Sequence, residues 1–250
     1  MFNKLVLNSI HSIRYVVALP LLFIAAINLS AQHSIIVSHI IDPTHGELQF
    51  FWKDEQGQNY LNFDKLRNKL AQQGDTLLFA TNGGMYNKSL SPQGLYIEKS
   101  RQLAPLDTAS IGFGNFYMKP NGVFFIRANN SAGICITESF KAEEELLYAT
   151  QSGPMLLING NIHHRFNKGS ANVNIRNGVG LLPNGCLLFA MSKGPINFYD
   201  FASYFKDMGC QNALYLDGFV SRTYLPAHKC IQLDGSFAVI IAQVKRGNNK

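Results

Sequence analysis

The sequence has 250 residues, of which 46% are apolar and 15% charged, which excludes a disordered chain and supplies enough apolar side chains for a domain core. Its formal net charge is +6, but it has no Lys/Arg runs or interleaved aromatic platforms, so nucleic-acid binding is not supported. The mild basic excess is compatible with an anionic substrate or a cell-envelope polymer.

Residues 1–31 have the pattern of a secretory signal peptide. Lys4 and Arg14 precede an apolar run over 15–27, and small side chains lie just before the expected cleavage point. The run is shorter than the roughly 20 residues that a membrane-spanning helix needs. We therefore predict a single domain over 32–250, periplasmic or secreted, with no stable membrane span after cleavage; an uncleaved anchor is the alternative. Cleavage removes two basic and no acidic residues, so the charge falls from +6 to +4.

The first part of this domain predicts strands and one helix. Two β-rich runs, over 33–41 and 48–53, flank a turn-forming segment and predict a hairpin. Asn62 has the N-cap position of a helix that Gly74 ends, and an apolar strand follows over 76–80.

That strand leads directly into Asn82, Gly83 and Gly84. Two adjacent glycines let the backbone turn sharply and bring N–H groups close to an oxyanion, while Asn82 offers both a donor and an acceptor. The pattern favours a ligand-binding strand end, and a purely structural turn is the alternative.

The middle of the chain predicts a further helix and disfavours one class of enzyme. Residues 141–148 form a helix candidate with Ser139 as its cap, and the acidic cluster at 143–145 is typical of a solvated face rather than a metal site. Ser152 is not in a nucleophile elbow, because the required glycine two residues before it is absent. A serine hydrolase is therefore disfavoured.

Arg176 lies between apolar and glycine residues in a predicted hairpin. Its planar, always-charged guanidinium suits two-point binding of a carboxylate or phosphate. The alternative is a buried arginine paired with an aspartate of the core.

The clearest helix is predicted over 198–208, with Asn197 at its cap and Gly209 after its end. It joins two apolar strands within 187–216. Such a strand–helix–strand unit is normally parallel and right-handed.

Asp217 and Gly218 directly follow the apolar run 213–216. A carboxylate at the end of a buried strand is rigidly held and partly desolvated, and a glycine beside it lets a ligand approach the backbone. This arrangement is typical of catalytic acids; an Asx turn is the alternative.

The four cysteines lie far apart, which disfavours a structural zinc site. An oxidising compartment permits disulfides in any of three complete pairings, and buried free thiols are the alternative. They are Cys135, Cys186, Cys210 and Cys230. The elements together predict an α/β (α+β) protein with a mixed β-sheet core and a few packing helices.

Five motifs, in order over about residues 35–245, resemble the phosphodiester glycosidase family, which includes the enzyme that uncovers mannose 6-phosphate by removing N-acetylglucosamine. They are Asn82-Gly83-Gly84-Met85-Tyr86, Gly114-Asn115-Phe116-Tyr117, Gln151-Ser152-Gly153-Pro154-Met155, Ile175-Arg176-Asn177-Gly178-Val179-Gly180 and Leu214-Tyr215-Leu216-Asp217-Gly218. The resemblance implies an α/β domain whose loops converge on one pocket, and hydrolysis of a sugar-1-phosphate diester. Many relatives have a third glycine where this chain has Phe219, so the substrate stays unnamed.

The chemistry of this reaction favours the same residues. Cleavage expels a phosphate monoester, a better leaving group than a sugar alcohol, so a strong general acid matters less. We expect Asp217 to act as nucleophile or as base toward water, Arg176 to bind the phosphate and Asn82 to orient the sugar. The other predicted binding residues are Gly83, Gly84, Gln151, Ser152, Gly153, Asn177, Lys193, Gly218, Ser221 and Arg222.

The predicted function is that of an exported hydrolase that cleaves a glycosyl phosphodiester in cell-envelope or extracellular glycoconjugates. The alternative is a non-catalytic module that binds anionic envelope glycans, which needs the arginine and the glycine turns but not the acid. No cofactor is predicted: the oxygen atoms of Asp217 and Asn82 suit calcium or magnesium, but the sequence has no dedicated metal-binding loop.

Overall fold

A computed structural model gives the structure of residues 35–142, 145–218 and 220–247. The signal segment 1–31, residues 143–144 of the acidic cluster and Phe219 lie outside the described residues. The unit that carries the fold described here is Val37–Lys250.

The described residues form three sheets, two α-helices and short 3-10 turns. The helices are α1 (Phe63–Gln72) and α2 (Phe198–Asp207), and the 3-10 turns are Pro43–His45, Asn115–Tyr117, Thr137–Ser139 and Pro226–His228. The strands are β1 (Ile36–Ile41), β2 (Leu48–Phe51), β3 (Thr76–Asn82), β4 (Tyr96–Glu98), β5 (Arg101–Ala104), β6 (Gly122–Arg127), β7 (Ala132–Ile136), β8 (Leu146–Ser152), β9 (Met155–Ile158), β10 (Asn161–Ile162), β11 (Asn177–Leu181), β12 (Leu187–Ser192), β13 (Asn212–Tyr215), β14 (Thr223–Leu225), β15 (Cys230–Ile231) and β16 (Ile240–Lys245).

The three sheets share one central core. Their strand orders are β1-β12-β11-β13-β9-β10, β15-β14-β3-β16-β2 and β5-β4-β8-β6-β7. Phe50 and Phe79 of the second sheet meet Phe124 of the third and Phe189 of the first in this core. The predicted fold class, an α+β protein with a sheet core and a few helices, is confirmed.

Helix α1 covers the outer face of the second sheet. Asn62 caps it as predicted, accepting a hydrogen bond from the backbone N–H of Lys65 at 2.9 Å. Phe63, Leu66 and Leu70 are buried against alternate residues of the sheet, and the burial of each contributes about 1.5–3 kcal/mol.

The predicted strand–helix–strand unit is confirmed in β12, α2 and β13. Both strands pair antiparallel with β11, which lies between them, so they run parallel to each other. Asn197 caps α2 through the backbone N–H of Asp200 at 2.8 Å, and Gly209 follows it at φ +85°. The prediction did not include the intervening strand.

Two local predictions are wrong because strand pairing overrides local signals. The runs 33–41 and 48–53 do not form a hairpin: β1 lies in the first sheet, whereas β2 pairs with β16 in the second. The helix predicted over 141–148 gives way to β8, which lies between β4 and β6 and pairs with both. Backbone pairing on both sides outweighs the weak helix preference of a short glutamate-rich segment.

His163 is buried, only 2% exposed, and its ring stacks on Phe166 with centroids 4.7 Å apart. Burial, with the charge of His164, lowers the pKa of His163 to about 4. Its folded-state pKa is therefore below the ordinary 6.5, and the unfolded chain takes up the proton first. We expect stability to decline as the pH falls from about 6.5 to about 4, and His163→Gln to reduce this decline in urea titrations across that range. An unchanged pH dependence would contradict the assignment.

Candidate active site

The first and second sheets meet where β3 and β13 end. The side-chain amide of Asn82 donates to the carbonyl oxygen of Asp217 at 2.8 Å, across 135 residues of sequence. The Asn82 oxygen in turn accepts from the backbone N–H of Arg222 at 3.0 Å. Two of the predicted motifs are therefore joined directly.

Asn177, the first residue of β11, is fully buried at the centre of this junction. Its side-chain amide donates to the Thr81 hydroxyl at 3.0 Å and to the Asn82 side-chain oxygen at 3.0 Å. Its oxygen accepts from the backbone N–H of Asp217 at 3.0 Å and from the Ser221 hydroxyl at 3.2 Å. We call Asn82, Asn177, Asp217 and Ser221 the Asn177 network.

Further hydrogen bonds hold the backbone on either side of the acid. The buried Ser152 hydroxyl donates to the carbonyl of Leu216 at 2.5 Å, and the single hydrogen of the Ser221 hydroxyl is shared between the Asn177 oxygen and the carbonyl of Asp217, the latter at 3.1 Å. These contacts involve the main chain of Asp217, a partly exposed residue. The fold thus fixes the backbone from which this carboxylate extends.

The glycine turn after β3 is closely packed. The N–H of Gly83 donates to the carbonyl of Val239 at 2.7 Å, so in this structure it does not face an oxyanion. A Cβ atom on Gly84 would lie 2.5 Å from the carbonyl oxygen of Gln151. Gly153 is similarly crowded, since a Cβ atom added to it would lie 2.6 Å from the Cβ atom of Asn121. These glycines allow close packing of the loops beneath the acid.

Arg176 is fully buried and its guanidinium is held by neutral groups. Its Nε donates to the carbonyl of Ile196 at 2.8 Å, Nη2 donates to that of Asn172 at 2.9 Å, and the cation lies 3.5 Å from the Phe198 ring centre. Burial lowers the pKa of Arg176, and no carboxylate lies within 4.0 Å of it among the residues with described positions. A phosphate cannot reach this side chain in the observed conformation.

Tyr215 links Arg176 to the turn that bears the acid. Its hydroxyl accepts from Arg176 Nη1 at 3.4 Å. A Cβ on Gly218 would lie 1.7 Å from this oxygen, so only glycine fits there. Burial raises the pKa of Tyr215 to about 12. Sequence reasoning missed this residue, although it lies only two residues before Asp217.

Gln151 is also buried, at 1% exposure, and serves a loop rather than a ligand. Its side-chain oxygen accepts from the backbone N–H groups of Leu95 at 3.0 Å and Asp107 at 2.9 Å. Its amide donates to the carbonyl of Asp107 at 2.8 Å. The side chain is thus committed to fixing the segment around Asp107.

Only some of the residues predicted to bind substrate are exposed to solvent. Arg222 is partly exposed and binds Asp234 through two nitrogens, at 3.0 and 2.8 Å. Tyr86 lies near the acid: burial and then the negative charge of Asp217 raise its pKa. Lys193 is exposed, beside the thiol of Cys230.

No group of three or more His, Cys, Asp or Glu side chains in the described parts of the chain is arranged to hold a metal ion. The four cysteines form no disulfide among the described residues; Cys210 is buried and the other three are partly exposed.

The family model described as phosphodiester glycosidase matches residues 75–240. The chain belongs to the phosphodiester glycosidase family. The match contains every predicted site residue, from Asn82 to Arg222, and confirms the resemblance drawn from the motifs.

Relatives of this family member agree with the assignment. The chain is 38% identical over 210 residues to the uncharacterized protein YigE of Escherichia coli. The aligned residues make up 83% of this chain and 82% of the relative. Among solved structures, the zebrafish N-acetylglucosamine-1-phosphodiester alpha-N-acetylglucosaminidase catalytic domain, auto-inhibited by its pro-peptide, has a TM-score of 0.57 at 16% identity, covering 85% of this chain and 84% of that one. A protein of Burkholderia pseudomallei described as exported has a TM-score of 0.55 at 10% identity, covering 83% and 73%. At these identities, the structures show a shared fold.

Proposed function

We propose that this phosphodiester glycosidase family member hydrolyses a glycosyl phosphodiester, a sugar-1-phosphate diester of cell-envelope or extracellular glycoconjugates. The observation that carries the proposal is the partly exposed residue Asp217, whose main-chain N–H and C=O are fixed by the buried Asn177 and Asn82. Because its backbone is fixed, this carboxylate is held in a defined position relative to a bound substrate.

In the proposed reaction, Asp217 either takes a proton from a water that bonds to the anomeric carbon, or attacks that carbon itself and forms a glycosyl ester that water hydrolyses in a second step. The bond between the anomeric carbon and the phosphate oxygen breaks, and the phosphate monoester leaves with the electron pair. Because this leaving group is already stable as an anion, no strong general acid is required. Arg176 acts as a positioning residue through Tyr215, whose hydroxyl lies against Gly218.

For the phosphate we propose Arg222, assisted by the exposed Lys193. The planar guanidinium of Arg222 already binds an oxyanion in two-point geometry, the carboxylate of Asp234. Asp234 is exposed, so a phosphate can exchange with it.

Asp234→Asn should therefore improve the binding of a phosphodiester substrate. Loss of the competing carboxylate frees the Arg222 guanidinium, so we expect KM to fall by up to about fivefold with kcat unchanged. Steady-state kinetics with separate KM and kcat values measure this. Arg222→Lys in the Asp234→Asn background should cancel the gain, and a higher KM in Asp234→Asn itself would contradict the assignment of Arg222.

We propose a periplasmic or secreted location, supported by the N-terminal pattern and by the fold shared with a protein described as exported. Within the ranges that the structure covers, no helix is long and apolar enough to cross a membrane.

The test of the function is a turnover assay of the purified full chain on a panel of sugar-1-phosphate methyl diesters that differ in the sugar. We expect release of a phosphate monoester from at least one of them, and phosphorus NMR detects this release. Binding of a diester without any release would instead support the non-catalytic glycan-binding module, whereas neither binding nor release would contradict both functions.

A further inference from the structure

Four aromatic side chains form a continuous stack that leads from the surface toward the candidate active site. The ring centroids of His164 and His163 are 4.8 Å apart. Phe166 follows at 4.7 Å from His163, and Phe198 at 4.8 Å from Phe166, with neighbouring ring planes 10–21° apart. His164 is exposed, whereas Phe166 and Phe198 are 8% and 6% exposed. We call these four residues the aromatic stack.

The inner end of the aromatic stack holds the buried Arg176. Its guanidinium carbon lies 3.5 Å from the centre of the Phe198 ring. Because Phe166 already stacks on one face of that ring, the guanidinium takes the opposite face. Hydrogen bonds to the carbonyl oxygens of Ile196 and Asn172 fix the edges of the guanidinium, and the attraction between cation and ring fixes its plane.

Phe198 also contacts the tyrosine that lies against the turn of the acid. The rings of Phe198 and Tyr215 meet edge to face, with centroids 4.9 Å apart and planes at 76°. A Cβ atom on Gly218 would lie 1.7 Å from the Tyr215 hydroxyl oxygen, so there is no free space between them. Gly218 directly follows Asp217. A displacement of the Tyr215 ring is therefore passed on to the turn that carries the acid.

We propose that Phe198 and Phe166 are positioning residues for Asp217. Phe198 sets the plane of the Arg176 guanidinium and the tilt of Tyr215, and Phe166 supports the far face of the Phe198 ring. Neither phenylalanine belongs to the five motifs that resemble the family. The effect on catalysis rests on the proposed hydrolytic function of Asp217, whereas the control of the turn does not.

The first test is the steady-state kinetics of variants in α2, with the diester that the wild type cleaves. Phe198→Leu keeps an apolar side chain but loses the ring face, so kcat should fall about tenfold while KM stays within about twofold. Phe198→Tyr keeps the ring and should have kcat within about twofold of the wild type. Phe201→Leu is the matched control: it removes a fully buried ring of the same helix and should lower the melting temperature by a similar amount with wild-type kcat.

The second test is NMR of the isotope-labelled full chain and does not require turnover. The Arg176 guanidinium lies over the face of the Phe198 ring, which shields its N–H protons. In Phe198→Leu the Nε–H signal of Arg176 should move downfield, and the amide signals of residues 216–218 should shift with it. Phe166→Leu should shift the same signals less, because Phe166 acts through Phe198. Phe201→Leu should leave them in place.

These measurements separate the proposal from the function on which its catalytic effect rests. With an active wild type, an unchanged kcat in Phe198→Leu, or a fall no larger than that in Phe201→Leu, would overturn the proposal and leave the hydrolytic function standing. If the wild type cleaves no diester, the NMR signals decide. Shifts at residues 216–218 in Phe198→Leu but not in Phe201→Leu would support the control of the turn, and unmoved signals would overturn it.

Discussion

Asp217→Asn should lower kcat for a sugar-1-phosphate diester by a factor on the order of 10²–10⁴, with the fold intact. The amide has nearly the shape of the carboxylate but neither its charge nor its basicity, so it serves neither as nucleophile nor as base. The hydrogen bonds that fix residue 217 to Asn82, Asn177 and Ser221 run through its main chain, and the substitution leaves them in place. Phosphorus NMR of product release measures the effect.

The matched control is Asp207→Asn, which removes an exposed carboxylate at the end of α2 and should leave kcat unchanged. Melting temperatures of both variants should lie close to that of the wild type. Full turnover in Asp217→Asn would show that another group performs the chemistry. If the wild type and Asp217→Asn bind diesters equally and neither releases product, the protein is a binding module.

Elements with strong local signals were predictable from the sequence, whereas their partners were not. Asn62 and Asn197 each cap the expected helix, because a cap is decided within four residues. The choice between a hairpin and two separate sheets for β1 and β2 depends instead on β12 and β16, more than 140 residues later. Turn residues predict that the chain reverses its direction. They do not specify whether the strands on either side of the turn pair with each other or with other strands.

The same distinction holds in the site. The motifs around Asn82, Asn177 and Asp217 were expected to converge, and they do. Residue type alone did not reveal that Arg176 and Gln151 are buried, because their partners, Ile196 and Asp107, lie 20 and 44 residues away. Buried polar groups of the family motifs thus hold the loops in position. Fewer side chains than predicted are exposed and able to contact a substrate.

Asn177→Ala should reduce the free energy of unfolding by about 3 kcal/mol, since it removes several buried hydrogen bonds at once and leaves the N–H of Asp217 and the side-chain oxygen of Asn82 short of partners. For a chain of this size, the melting temperature should fall by about 6–12 °C. Asn184→Ala is the control: Asn184 is exposed and accepts one hydrogen bond, from the N–H of Cys186, so we expect a loss of no more than about 1 kcal/mol.

The activity of Asn177→Ala separates support of the fold from support of the acid. At a temperature where the variant is fully folded, kcat should still fall, because the turn at Asp217 loses the oxygen that accepts its N–H while the carboxylate itself remains. A stability loss with wild-type kcat would mean that the Asn177 network holds the sheets together without positioning Asp217. A fall in kcat without any stability loss would mean that water replaces the lost hydrogen bonds energetically. The Asn177 hydrogen bonds would then serve the reaction by positioning Asp217 and not by stabilising the fold.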